Sequence, residues 1–210
     1  MIQALCPACG ASIRFQSAVS ITTVCSFCRA VLVRHDLDLA IIGRMAVLKE
    51  DASPLQIGSE GSYRGTAFRL IGRLQRRWDR GFWNEWFILF DDGRHGWLPE
   101  AQGFYAVLFE RTTPALPSAP GELRPGSWIK IGNWDYEVAD IKEALCSYTE
   151  GELPVQVKPD QITLCIDLAG GGDRCATLEF GAEGVRFYAG SHVDFDTFRF
   201  HSLRERDGWN

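Results

Sequence analysis

Four cysteines carry the most readable chemistry in this 210-residue chain. Cys6-Pro7-Ala8-Cys9 and Cys25-Ser26-Phe27-Cys28 are two C-x2-C pairs with fifteen residues between them. Two sulfurs spaced by two residues on a tight turn aim at one ion, and two such pairs supply four soft ligands. Gly10 directly follows Cys9, where such a turn asks for a positive φ. Four thiolates leave no vacant position. The expected site is therefore structural, one Zn2+ per chain on Cys6, Cys9, Cys25 and Cys28. The competing reading, a pair of redox motifs, lacks the βαβ pattern that a thioredoxin-like site requires. Residues 1–36 are too few to build a hydrophobic core unaided. Val19, Ile21, Val24, Val31 and Val33 offer strand positions, and metal binding is expected to supply most of the folding energy of this ribbon.

A second concentration of chemistry lies between Gly81 and Gly103, which holds three of the seven Trp residues. Trp83, Trp86 and Trp97 stand among Glu85, Asp91, Asp92 and Glu100. Aromatic faces mixed with carboxylates can hold an organic cation such as a polyamine. The same aromatics also read as core. At period two, one face of the stretch is Phe82, Asn84, Trp86, Ile88 and Phe90, and the other is Trp83, Glu85, Phe87, Leu89 and Asp91. Both are mostly apolar, which predicts a central strand covered on both sides.

Arg64, Arg69, Arg73, Arg76, Arg77 and Arg80 crowd the preceding segment. Basic charge beside aromatics is the composition of a single-strand nucleic-acid groove. Against that stands a net charge of -5 and a pI of about 5.4, which disfavours phosphate binding. The Arg residues are expected to pair with acids across the sheet. The ribbon itself has Arg14, Arg29 and Arg34 against Asp36, offset by the charge of a four-thiolate zinc. Nucleic acid is not an expected partner.

Catalysis has little support. His35, His95, His192 and His201 sit in no recognisable motif. His95 beside Asp91 and Asp92 has the composition of a base with its orienting acid, but reads better as a turn residue. Gly170-Gly171-Gly172 lacks the Lys-Ser/Thr and the following helix of a phosphate loop, and predicts a hairpin turn. The chain is not expected to be an enzyme.

The elements that must position these groups are strands. Thr66 to Trp78, the Trp83 strand, His95 to Pro99 and Phe104 to Arg111 are separated by turn signals such as Asp92-Gly93. In the first of these, Phe68, Leu70 and Leu74 are expected inward, with Arg69, Arg73 and Arg77 outward. Trp128 to Ile131, Tyr136 to Ile141, Ile162 to Leu168, Ala176 to Phe180 and Val185 to Tyr188 continue the pattern. The predicted fold is mostly β: a small zinc ribbon followed by two antiparallel β modules, barrel-like or curled sheets. Predicted boundaries are 1–36 for the ribbon, 37–54 for a packed connector, 55–112 for a central module, 113–121 for a linker and 122–204 for a carboxy-terminal module. Leu123-Arg124-Pro125-Gly126-Ser127 echoes Leu55-Gln56-Ile57-Gly58-Ser59, which hints at duplication. Cys146, Cys165 and Cys175 are isolated and read as core thiols. The amino terminus is not a secretory signal and no apolar run reaches the ~18 residues of a membrane span. The expected compartment is the cytoplasm, where an odd cysteine count means metal ligands and free thiols.

Ile71-Gly72-Arg73, Trp83-Asn84-Glu85-Trp86, Phe90-Asp91-Asp92-Gly93-Arg94, Gly96-Trp97-Leu98 and Glu100-Ala101 resemble a bacterial family known as domain of unknown function 4178. Gly151-Glu152-Leu153-Pro154 and Tyr188-Ala189-Gly190 resemble its second half. Members of that family often carry an amino-terminal four-cysteine ribbon. The resemblance implies no established reaction. It implies genes often neighbouring an aminopropyltransferase-like protein and small membrane proteins, hence a possible polyamine link. The leading expectation is a non-enzymatic module for protein interaction or assembly, with unidentified protein partners, in a cytoplasmic or membrane-associated system. An organic-cation binder using the Trp83–Glu100 hairpin, and a single-strand nucleic-acid binder using Arg64–Arg80, are the alternatives.

Overall fold

The computed structural model describes residues 2–35, 38–45, 51–112, 120–158 and 161–205. Most of the expected linker, 113–119, and residues 46–50 of the connector lie outside them. The described residues form fifteen strands, two short 3-10 turns and no α-helix. The amino-terminal strands are β1 (Ile2–Leu5), β2 (Ser12–Phe15), β3 (Thr22–Val24), β4 (Ala30–His35) and β5 (Asp38–Arg44). A first series follows with β6 (Glu60–Tyr63), β7 (Thr66–Trp78), β8 (Gly81–Phe90), β9 (His95–Ala101) and β10 (Phe104–Arg111). A second series comprises β11 (Trp128–Ile131), β12 (Trp134–Leu153), β13 (Ile162–Ala169), β14 (Arg174–Gly181) and β15 (Gly184–His192).

Each series is a five-stranded antiparallel meander in chain order. The meanders meet at two edges. β7 pairs with β12 from Arg77↔Leu145 to Gly72↔Gly151, and β10 pairs with β15 from Ala106↔His192 to Arg111↔Phe187. Strands β7 to β10 and β12 to β15 therefore hydrogen-bond in a closed circuit, which leaves those eight without a free edge between them.

The two series also begin alike. The Gly58 N–H donates to Leu70 O and the Leu70 N–H to Ser59 O, while the Gly126 N–H donates to Val138 O and the Val138 N–H to Ser127 O. The Gln56 N–H donates to Ser59 Oγ, and the Arg124 N–H to Ser127 Oγ. Gly58 and Gly126 adopt φ of 91° and 84°, a left-handed turn that glycine enters without strain. Leu55 and Leu123 are both buried. The register of β7 slips between Leu70 and Gly72, and that of β12 between Val138 and Asp140. The five-residue echo in the sequence thus marks one repeated local structure.

β8 is covered on both faces, as its two apolar faces predict. Trp86, Ile88 and Phe90 pack with Phe68, Leu70 and Phe198 outside the circuit. Phe87 packs inside it with Leu74, Trp97 and Leu108. The slip at Leu70/Gly72 corrects the expected faces of β7. Phe68 and Leu70 lie outside, but beyond the bulge it is Arg73 that continues on the outer face, fully buried, while Leu74 turns inside. A bulge adds one residue, so every later side chain changes face.

The amino-terminal strands divide. β1 and β2 form a sheet of their own, whereas β3, β4 and β5 extend the large sheet through β12, at Thr23↔Glu152 and Thr22↔Leu153. The Glu152 carboxylate accepts hydrogen bonds from the Gln16 and Ser17 N–H groups, at 2.7 and 3.2 Å. Val31 and Met45 join the cluster formed by the inward residues Leu74, Phe87 and Cys146. The segment expected as a separate ribbon is therefore paired and packed against the circuit.

Candidate metal centre and interior cavity

The turns after β1 and β3 are copies of each other. The Cys6 N–H donates to Ala11 O and the Gly10 N–H to Cys6 O. The Cys25 N–H donates to Ala30 O and the Arg29 N–H to Cys25 O. Gly10 has φ 74° and Arg29 has φ 60°, so the second turn takes the same left-handed conformation without a glycine, a position the sequence did not flag. The four Sγ atoms lie within 4.8 Å of one another. Cys6 and Cys28 are 3.7 Å apart at sulfur, as are Cys9 and Cys25. An ion with metal–sulfur bonds of about 2.3 Å sets the corners of its tetrahedron about 3.8 Å apart. The cluster can hold a metal ion. Burial opposes ionisation of Cys25, but the Cys28 and Phe27 N–H groups and the neighbouring thiols outweigh it and hold that thiol down at about 7.

A cavity of ≈ 570 Å³ lies inside the circuit, and all eight strands line it. Its two walls differ. β9 and β10 present Trp97, Pro99, Ala106 and Leu108, with Leu74 from β7 beside them. β12 to β15 present Lys142, Asp167, Thr177, Glu179 and Arg186. Trp78, Phe82 and Phe104 also line the cavity and reach solvent, Phe104 at 74% exposure. An ion pair spans from β7 to β14: Arg76 holds Glu179 at 2.9 Å and Glu85 at 3.0 Å. The Trp83 indole donates to Glu85 at 2.8 Å. Burial pushes the Glu85 carboxyl up to about 7, with Arg76 pulling back and Glu179 adding to the rise. Asp167 opens onto the cavity and reaches solvent, yet the protein packed around it raises its carboxyl despite a 3.0 Å hydrogen bond from Thr177. The three isolated cysteines, Cys146, Cys165 and Cys175, all line this cavity. Burial raises the Cys165 and Cys175 thiols, the latter to about 12, which keeps them protonated.

The sequence-derived cation site is divided by the sheet. Trp83, Glu85 and Trp97 line the cavity. Trp86 and Glu100 lie on the opposite face, where Glu100 accepts hydrogen bonds from Trp86 Nε1 (2.8 Å), Ser53 Oγ (2.7 Å), Asn84 Nδ2 (3.1 Å) and Tyr105 Oη (3.3 Å). Arg73 belongs to that outer network, paired with Asp51 and stacked 4.7 Å from the Trp86 ring. Asp91 and Asp92 are exposed in the β8–β9 turn, with Asp92 holding Arg94 at 2.7 Å. His95 packs its ring on Phe87. The Arg cluster is dispersed too: Arg69 pairs with Glu60, while Arg73 and Arg76 are buried in ion pairs. Lys142, Asp167, Thr177, Glu179 and Arg186 were missed. They lie on strands whose alternation was legible, but only closure of the circuit brings them opposite Trp97.

Residues 56–195 match the family described as Domain of unknown function (DUF4178). The chain belongs to this family. The DUF4178 match covers more than half of the chain and contains the whole closed circuit and its cavity. The four-cysteine cluster precedes it. No curated protein and no solved structure shows significant similarity to the chain. No catalytic motif is evident among the described residues, and none of them forms a helix long and apolar enough to cross a membrane.

Proposed function

We propose that this protein is a non-enzymatic small-molecule-binding protein, a barrel-like body stapled by one structural zinc. The observation that carries the reading is the cavity. Protein interiors are normally filled to crystal-like density with apolar side chains. Here the circuit keeps ≈ 570 Å³ open and faces it with ionised groups, at a desolvation cost that folding alone does not require. Its size and its mixture of aromatic and polar walls suit a small ligand. Zinc is the metal best matched to four thiolates at tetrahedral spacing, and a closed four-thiolate site does not activate water. Beyond the four proposed ligands, Cys146, Cys165 and Cys175 form no disulfide, which fits a reducing cytoplasm.

Native mass spectrometry of protein gently extracted from its host tests the reading. A small molecule should leave the wild-type chain on denaturation and be absent from an Ala106→Trp variant with a filled cavity. No such mass, together with no thermal shift from any amine, alcohol or acid fragment, overturns it.

A second reading, docking of a protein partner, is favoured by Trp128 and Trp134. They stand 69% and 51% exposed on the β11–β12 hairpin, and exposed Trp is enriched at interfaces. Affinity capture by the wild-type chain, compared with a Trp128→Ser, Trp134→Ser double variant, tests it. A partner lost only from the variant supports the reading.

A further inference from the structure

The cavity has a chemical preference written into its walls. Its charged lining residues are the carboxylates Glu85, Asp140, Asp167, Glu179 and Glu183 and the cations Arg76, Lys142 and Arg186. Five negative groups face three positive ones, and each cation is committed. Arg76 serves both Glu85 and Glu179, Lys142 pairs with Asp140, and Arg186 pairs with Glu183 at 2.8 Å. Asp167 has a hydroxyl, Thr177, at 3.0 Å, and no ion pair among the described residues. Two units of negative charge are left without a matching cation around the cavity, one in the buried Arg76–Glu85–Glu179 group and one at Asp167, which reaches solvent. Burial raises the Glu85 and Asp167 carboxyls, and the nearby Glu179 carboxylate adds to both rises.

The register places these groups within reach of one ligand. Asp167 pairs with Thr177 across β13 and β14, and Cys165 pairs with Glu179. Asp167 and Glu179 are thus diagonal neighbours on the inward face, about 7–8 Å apart at the backbone. A protonated amine between them can donate to both carboxylates. An anionic ligand finds no uncommitted cation there. The facing strands offer Leu74, Trp97, Ala106 and Leu108 to an apolar body and an aromatic face to the amine, while the Glu85 carboxylate on that side is already held by Arg76 and the Trp83 indole.

We propose that the ligand is an organic ammonium ion with one charged end and an apolar body, its nitrogen held between Asp167 and Glu179 and its body laid along Trp97 and Leu108. The proposal rests on the cavity being a ligand site and adds the ligand's chemistry. It differs from a polyamine reading, because a chain charged along its whole length would bury ammonium groups against the apolar wall.

The test uses the zinc-loaded full chain and four probes: 4-phenylbutylamine, 4-phenylbutanol, 4-phenylbutyrate and spermidine. Binding is read by Trp fluorescence and by thermal shift. The amine should bind at least about tenfold more tightly than the alcohol, the order contributed by a charge-assisted hydrogen bond. The acid should be weakest, and spermidine should give neither signal. Asp167→Asn should bring the amine down to the affinity of the alcohol while leaving the alcohol unchanged, so retained alcohol binding reports that the variant is folded. If alcohol, acid and amine bind alike, or if spermidine matches the amine, the ammonium proposal fails while the cavity reading stands. If none of the four binds at millimolar concentration, both fail. Should Asp167→Asn not fold, Thr177→Val asks the same question, because it removes the hydroxyl that orients Asp167 and should cut amine binding alone.

Discussion

Glu85 holds its negative charge at a cost. Its carboxyl is raised from 4.5 to about 7, by burial first. Between those values the folded chain keeps a proton that the unfolded chain has lost. Stability therefore falls as pH rises through that window and levels off above it. Asp167, raised for the same reason, pulls in the same direction. Glu85→Gln should flatten the decline, seen as urea midpoints that change less than wild type from about pH 5 to about pH 8. Equal slopes would show that Glu85 does not titrate in that window. At the amino terminus, elemental analysis should find one zinc per wild-type chain, and Cys25→Ser should lose it. Retention of full metal content by that variant would remove the assignment. The cysteine cluster was legible because its spacing is local. The Arg73–Asp51 and Trp86–Glu100 contacts were not, because a polar side chain in a strand does not announce a buried partner from another turn of the chain.

At the scale of elements, alternation and turn residues located most strands, and β7, β10 and β11 have the predicted bounds. The failure was β12. Its first residues alternate clearly, but Lys142-Glu143-Ala144 and Glu150-Gly151 carry no strand signal, and only pairing with β11, β13, β7 and β3 in turn holds the full Trp134–Leu153 strand extended. The crossing of β12 and β7 is tight. A Cβ added at Gly72 would sit 1.7 Å from Glu152 O, a backbone atom that cannot move without parting the strands. Gly72→Ala should destabilise the fold by about 3 kcal/mol, the upper range for overpacking, as measured by urea unfolding. A loss below about 1 kcal/mol would mean that the strands separate easily there.

For the molecule as a whole, the amino-terminal sheet and the circuit share one apolar cluster, with Val31 and Met45 packed near Cys146. Removing the metal should loosen β3 to β5 before it unfolds the circuit. After chelation, Cys146 should react with thiol reagents faster while far-UV circular dichroism still reports β structure. Simultaneous loss of both signals would show a single cooperative unit. Two β modules were readable from turns and the repeated Leu-x-x-Gly-Ser segment. Their union was not, since edge pairing between β7 and β12 or β10 and β15 depends on partners some seventy or more residues apart.

Those two edges join like to like. The second strand of one series meets the second of the other, and the fifth meets the fifth, each pair antiparallel. That is the pattern of a two-fold axis, the arrangement by which two identical chains close on each other. A half-length ancestor could have closed as a homodimer, but its interior would have shown the same wall twice, apolar against apolar or charged against charged. Fusion into one chain lifts that constraint. Each half is then free to diverge, and an interior with one greasy side and one acidic side becomes possible, a shape of environment that no pair of identical subunits can present along its own axis.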